Sequence, residues 1–317
     1  METIYFLVQQ TMLFSIPLLL VALGGMFSER SGVVNIALEG IMIIGAFTGI
    51  FFISRFGNLF SPTITLFIAI IISALSGLIF SLLHAYASIN MSADQVISGT
   101  ALNIFAPAFA IYVTRAIQVV QQISFVNNFR IESFPVLGNI PIIGNLLFKN
   151  AYITTYLGFI ILALSWFALY KTRFGLRLRS CGEHPQAADS VGINVYKMRY
   201  FGVAISGALA GIGGLVFVIP TSTNFNATVA GYGFLALAVL IFGQWKPIRI
   251  LYAAFFFGLM KTLASAYSGI PILSNLPISN SVYKMIPYIT TIIVLAFTSK
   301  NSQAPKASGL PYDKSVR

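Results

Sequence analysis

The chain has 317 residues, 57% hydrophobic and 9% charged, with a formal net charge of +11 and a single cysteine; its mean hydropathy is +0.86. A soluble domain carries roughly 25% charged residues, so the composition excludes a soluble globular protein and indicates one polytopic membrane domain over residues 1–317. The basic residues cluster between apolar runs and are not interleaved along an exposed face, so the charge reads as membrane orientation and not as nucleic-acid binding. Cys181 stands alone, which excludes an internal disulfide and a cysteine metal cluster.

The N-terminus, METIYFLVQQ, lacks a basic region and a small-residue cleavage site, so it does not read as a cleaved signal peptide. A helical span needs about 20 mostly apolar residues. Nine candidates lie at roughly 4–26, 33–54, 63–88, 96–117, 151–170, 200–220, 231–245, 250–268 and 284–299. They predict an all-α polytopic membrane protein of about nine transmembrane helices (8–10). The seventh and ninth are short, as re-entrant or tilted segments are.

Between the first two spans runs GGMFSERSGVVNIALEGIMIIGAF, Gly24 to Phe47, with Glu29 and Arg30 in the turn. Asn35 and Glu39 fall inside the second span, four residues apart and so on one helix face. A carboxylate at the centre of a span costs about 2.5–3.5 kcal/mol on insertion scales. Glu39, about a turn and a half in, must therefore face a partner or a water-filled path. Two readings stay open: the wall or gate of a pathway, or structural hydrogen bonds to a neighbouring helix. Thr100 and Asn103 on the fourth span suit a path for a neutral polar solute, whereas His84 and Lys261, near span ends, read as snorkelling side chains. Gly45 with Gly49, and Gly207 with Gly211, form small-residue pairs that let helices pack closely.

Residues 118–150, rich in Asn, Pro, Gly and Phe, read as an ordered external loop, too apolar for disorder. The loop 171–199 holds Lys171, Arg173, Arg177, Arg179, Lys197 and Arg199 against Glu183 and Asp189, a net charge of +4. It is expected in the cytoplasm. Lys246 and Arg249 fall on the same side, as does the tail 300–317 with Lys300, Lys306, Lys314 and Arg317, which places the N-terminus outside and the C-terminus in the cytoplasm. Within the loop, Pro185 suits a first helical position and Gly192 a left-handed cap. The helix between them spans about two turns, too short to be stable alone. Such a helix reads as a docking knob, its small Ala187 and Ala188 allowing a partner surface to approach.

No phosphate-cradling loop is present, since no glycine precedes a lysine, and neither HExxH nor CxxC occurs. No nucleophile and base assemble, so no catalytic residue and no metal ligand is expected, and the chain does not read as an enzyme.

Two runs, SERSGVVNIALEGIMIIGAF (28–47) and RFGLRLRSCGEHPQAADSVGINVYKMRYFGVAISGALAGIGG (173–214), resemble the permeases of ABC importers of the branched-chain amino acid, ribose and nucleoside group. GYGFLALAVLIFGQWKP (231–247) and PKASGLPYDKSVR (305–317) look most like the shorter permease of nucleoside importers that work with a Bmp-type surface lipoprotein. The resemblance implies a multi-pass subunit of the bacterial cytoplasmic (inner) membrane that imports nucleosides. Its implied partners are a cytoplasmic ABC ATPase carrying ATP and Mg, an external substrate-binding lipoprotein, and a second permease, a heterodimer being favoured over a homodimer. No cofactor is expected on this chain itself. By position, the family's ATPase-coupling residues fall on Gly182, Glu183, Pro185, Ala187, Ala188, Gly192, Ile193 and Asn194. Ribose-type relatives carry an extra N-terminal span, whose absence fits an outside N-terminus. Sugar-type relatives often carry an acidic residue where this chain has Leu235, which favours nucleosides over ribose or another small sugar. A stand-alone secondary carrier is the alternative of a different class.

Overall fold

The computed structural model describes residues 2–133, 138, 140, 141, 144–267, 279–298 and 303–314. In chain order the helices are α1 (Glu2–Arg30), α2 (Leu38–Phe56), α3 (Pro62–Ile89), α4 (Gln95–Gln118), α5 (Ile153–Lys171), α6 (Arg173–Glu183), α7 (Pro185–Ser190), α8 (Val195–Thr221), α9 (Tyr232–Phe242), α10 (Pro247–Ala266) and α11 (Asn280–Thr298). Each expected span meets one helix, but they are not nine equal crossings. Among the described residues seven helices, α1 to α5, α8 and α10, are long and apolar enough to cross a membrane. With 11 residues, α9 is about 16 Å long, half of what a crossing needs. The second span begins at Leu38 and not near 33, because residues 31–37 are not helical.

At the centre, α8 packs against α1, α2 and α3. Small residues, the predicted Gly45, Gly207 and Gly211 among them, make this possible. A side chain on Gly45 would strike the backbone of Gly211, one on Gly77 the carbonyl of Gly207, and one on Gly214 the carbonyl of Met42. With backbones this close, hydroxyls reach across: Ser73 Oγ donates to the Gly45 carbonyl at 2.8 Å and Ser81 Oγ to that of Val203 at 3.2 Å. In lipid, where burial of apolar surface drives nothing, such van der Waals contact and interhelical hydrogen bonding are what hold helices together.

The loop 118–150 departs from an all-α reading. Strand β1 (Ile123–Ser124) pairs antiparallel with β4 (Asn224–Phe225), Ile123 opposite Phe225, and β2 (Arg130–Ser133) pairs with β3 (Lys149–Tyr152), Arg130 opposite Tyr152. A π-helical turn, Gly144–Phe148, precedes β3. Asn127 Nδ2 donates to the Ile219 carbonyl at 2.6 Å and Gln9 Nε2 to that of Asn145 at 2.7 Å, fixing the loop onto α8 and α1. The remaining residues of 118–150, namely 134–137, 139, 142 and 143, lie outside the described residues, as do Lys300 and Arg317 of the tail.

Gly45→Val puts atoms where only backbone can yield. It should lower the thermal stability of the detergent-purified protein by about 1–3 kcal/mol, read by size-exclusion chromatography after heating. Ala101→Val, on an exposed face of α4, should leave stability unchanged. Equal melting of the two variants would refute the α2–α8 crossing.

Candidate functional site

α1 ends at Arg30, and Gly32, with φ +98°, turns the chain. That backbone conformation favours glycine, and a Cβ there would also lie 2.9 Å from Nη2 of Arg199. Residues 33–35 then run along α4 without regular structure, and residues 36 and 37 turn into α2. The Val34 N–H donates to Oε1 of Gln95, the first residue of α4, at 2.7 Å, and Asn103 Nδ2, eight residues further along, donates to the Ile36 carbonyl at 2.9 Å. Eight helical residues rise about 12 Å, so α2 begins well inside the helix layer.

Non-helical backbone at membrane depth is tolerated only where its polar groups are satisfied within the protein. Side chains supply those partners one by one. Ser28 Oγ donates to the Val33 carbonyl (2.7 Å), and the Val33 N–H donates to the Ser28 carbonyl (3.2 Å). His84 Nε2 lies 2.9 Å from the Val34 carbonyl, and its Nδ1 lies 2.8 Å from Ser98 Oγ. A carbonyl can only accept, so Nε2 carries the proton and Nδ1 accepts from the serine. Asn35 Oδ1 accepts from the Ala37 N–H (3.2 Å) while its Nδ2 donates to Ser206 Oγ (2.9 Å). Asn103 Oδ1 accepts from the Gly40 N–H at 2.7 Å.

Glu39 closes the arrangement. Its Oε1 accepts from the Gly231 N–H at 2.9 Å and its Oε2 from the Gly233 N–H at 2.6 Å. It thereby caps the N-terminus of α9, where free N–H groups and the helix dipole favour an anion. Gly233 is required because a side chain there would collide with the backbone of Glu39. Measured along α9 the carboxylate lies about 16 Å from the turn at Phe242, and along α4 about 12 Å from the start of that helix. Both figures place it near the middle of a hydrocarbon core of about 30 Å. Two chain breaks, 31–37 and 222–231, thus converge on one carboxylate.

The opposite end of α9 returns to the face that carries the basic loop. There α7 forms as expected, preceded by α6, which the sequence reading did not anticipate; His184 caps α7 through Nδ1, which accepts from the Ala187 N–H at 3.3 Å, and Gly192 has φ +84°. A side chain on Gly182 would strike the Arg30 carbonyl, and Glu183 lies 3.4 Å from Nη1 of Arg30. The tail also lies on this face. The Ala307 N–H donates to the Gly182 carbonyl (2.8 Å), the Gly309 N–H to that of Gly32 (3.2 Å), and Arg199 Nη1 to that of Leu310 (3.0 Å). Burial pushes the Cys181 thiol up to about 11, keeping it protonated and unreactive.

Of the pathway candidates, the structure gathers Asn35, Glu39 and Asn103 around the break, and every polar side-chain atom of the three is hydrogen-bonded within it. Thr100 stands apart, exposed, its Oγ1 donating to the Val96 carbonyl of its own helix at 2.7 Å. Asn35 and Glu39 do not share a helix face, because Asn35 precedes the helix. His84 does not snorkel; it is fully buried and bonded at both ring nitrogens. Lys261 Nζ lies 5.7 Å from the centre of the Tyr232 ring. On α7, Ala188 is 3% exposed and Pro185 is also buried, so both face their own chain. Gln186, Ala187 and Ser190 point outward. Gly192 is exposed, the Ile193 N–H returns to the Ala188 carbonyl, and Asn194 caps α8 by accepting from the Lys197 N–H at 2.9 Å. Sequence reasoning missed Gln95 and the buried pair of Glu29 and Trp245; an amide at a helix start is weak evidence, but a carboxylate beside Arg30 was a visible signal.

A family model described as the permease component of the branched-chain amino acid transport system matches residues 7–295. The chain is similar to the nucleoside ABC transporter permease protein NupC of Lactococcus lactis subsp. cremoris, 42% identical over 99% of this chain and 98% of the relative. It is similar to the guanosine ABC transporter permease protein NupQ of Bacillus subtilis, 44% identical over 98% and 97%. A putative glucose ABC transporter permease of Haloferax volcanii is 30% identical over 88% and 87%. No solved structure matches.

Glu39→Ala would leave the Gly231 and Gly233 N–H groups without acceptors. Stability should fall by about 0.6–2 kcal/mol, the range of intramembrane hydrogen bonds, and Glu39→Gln, which keeps one acceptor oxygen, should lose less. Unchanged melting of Glu39→Ala in detergent would contradict the capping role.

Proposed function

We propose that this chain, which belongs to the permease-component family of the branched-chain amino acid transport system, is the transmembrane subunit of an ATP-driven ABC importer for nucleosides. It is a multi-pass protein of the bacterial inner membrane. The observation that carries the reading is the end-to-end likeness to two permeases named for nucleoside and guanosine transport. Two features of its own geometry suit transport. A short helix is presented on the basic face, and two chain breaks meet inside the membrane, the arrangement by which transporters build midplane sites.

The basic face, carrying Arg30, loop 171–199, Lys246 and the tail, lies in the cytoplasm, with the N-terminus and the external loop on the other side. ATP and Mg bind to a partner ABC ATPase, which docks on the outward residues of α7, and this chain binds no cofactor. A second, longer permease completes the pore as a heterodimer, and an external lipoprotein delivers the substrate. ATP shifts the assembly between outward and inward access by binding the two states with different affinity. Asn35, Glu39 and Asn103 hold the gate region in its closed form. Import of a small sugar is the second reading, supported by the relative named for glucose.

Vesicles containing the full complex should take up radiolabelled guanosine and uridine only with internal ATP, and ribose should not compete. ATP-independent uptake, or ribose uptake alone, would overturn the assignment. Ala187→Phe should wedge the docking contact; overpacking costs about 1–3 kcal/mol, which weakens ATPase binding by roughly one to two decades. Wild-type affinity of the Ala187→Phe permease for the ATPase would sink the docking role of α7.

A further inference from the structure

The turn between α9 and α10, Gly243 to Lys246, is held by groups that take no part in closing the mid-membrane breaks. Trp245 is 4% exposed, and its indole Nε1 donates to Oε2 of Glu29, a carboxylate itself 7% exposed, at 2.6 Å. Its carbonyl accepts from Nη2 and Nε of Arg30 at 3.1 and 3.3 Å. Two consecutive residues at the end of α1 therefore hold one residue at both its side chain and its backbone. The turn is not relaxed: Gln244 and Trp245 have φ +51° and +55°, a left-handed pair without glycine, which persists only where surroundings impose it. A phenyl ring would fill the same space without requiring a buried carboxylate, and burying one is expensive unless it is hydrogen-bonded.

The constellation has neighbours on both sides. Towards the cytoplasmic surface, Arg30 Nη1 lies 3.4 Å from Glu183 at the entrance to α7, and Gly182 packs on the Arg30 carbonyl. Towards the membrane, Trp245 is joined to α9 by its own N–H, which donates to the Leu240 carbonyl at 3.3 Å, and α9 ends on Glu39 through Gly231 and Gly233. Within α9, Leu240 sits against Gly25 of α1. A helix of three turns transmits displacement along its axis without bending, so fixing its two ends links them.

We infer that Trp245 is a positioning residue that transmits movement of the α6–α7 loop through α9 to the Glu39 carboxylate at the mid-membrane breaks. This rests on the reading of α7 as the ATPase contact. Arg30 links the loop to Trp245, Glu29 fixes the direction of the indole, and α9 carries the displacement inward. Removing the indole N–H uncouples the two ends without altering the ATPase contact.

The test uses the complete transporter, both permeases, ATPase and binding protein, in vesicles where guanosine uptake and ATP hydrolysis are measured together. In Trp245→Phe, hydrolysis stimulated by loaded binding protein should remain within about twofold of wild type, while nucleoside taken up per ATP should fall about tenfold or more. Glu29→Leu should behave alike, and Glu29→Gln, whose amide oxygen still accepts from the indole, should restore the ratio. Wild-type uptake per ATP in Trp245→Phe overturns the inference. So does a proportionate loss of uptake, hydrolysis and assembled complex in Trp245→Phe and Glu29→Leu, which would mean a purely structural anchor. The docking reading is judged separately by ATPase affinity of Ala187→Phe, and failure there leaves the Trp245 ratio to be read on its own.

Discussion

A peptide group inside a bilayer must find its hydrogen bonds within the protein, and this fold is arranged around one stretch that cannot find them in a helix. Residues 31–37, two turns around a short irregular run, leave the surface and reach roughly the middle of the membrane before α2 begins. Ser28, His84, Gln95, Asn103 and Asn35 come from α1, α3, α4 and the stretch itself to meet the exposed N–H and carbonyl groups. Each unsatisfied group would cost several kcal/mol in lipid, so the positions of these polar residues on their helices follow from the path of the break. Helix α9, too short to cross, answers the same constraint from the other side, its N-terminus capped by Glu39.

Close packing by glycine and close packing by polar capping serve one end. The crossing of α2, α3 and α8 brings backbones into contact at Gly45, Gly77, Gly207, Gly211 and Gly214, which holds Ser206 where Asn35 can reach it. The end of α1 is the junction at the basic face. Gly182 of α6, the Gly309 amide of the tail, Arg199 of α8 and Trp245 after α9 all meet residues 29–32. A displacement of the loop 171–199 would therefore meet the start of the break directly, without crossing lipid-facing helices. In the proposed importer this geometry is direct, because the loop read as the ATPase contact and the backbone at the break are neighbours.

Much of this is legible in the sequence where the cause is local. Pro185, Gly192 and the amphipathic run between them specify α7 through capping chemistry that depends on nearest neighbours alone. The small-residue pairs report helix crossings for the same reason. What hydropathy does not report is depth. Val33, Val34, Ile36 and Ala37 are as apolar as any helical segment, so a hydropathy reading extends the second span backwards over them and places Asn35 on a helix face that does not exist. Partners distant in sequence are equally hidden: nothing local distinguishes a His84 that bonds Val34 from one that snorkels. The small size of Ala188 suggests a partner surface, yet it serves the packing of α7 on its own chain, and Ala187 beside it faces out. The pairing of β1 with β4 joins residues about a hundred apart, beyond any local pattern.

The central claim is that the mid-membrane breaks are sealed by named side chains in the resting transporter and open when the ATPase engages. Amide hydrogen exchange at Val34, Ala37, Gly40, Gly231 and Gly233 measures this directly, since each of these N–H groups donates to a side chain. In the assembled complex without nucleotide the five amides should exchange as slowly as those inside α8, and trapping the ATPase in its ATP-bound form should accelerate them together. Fast exchange at these positions in the resting complex, or rates indifferent to nucleotide, would contradict the account.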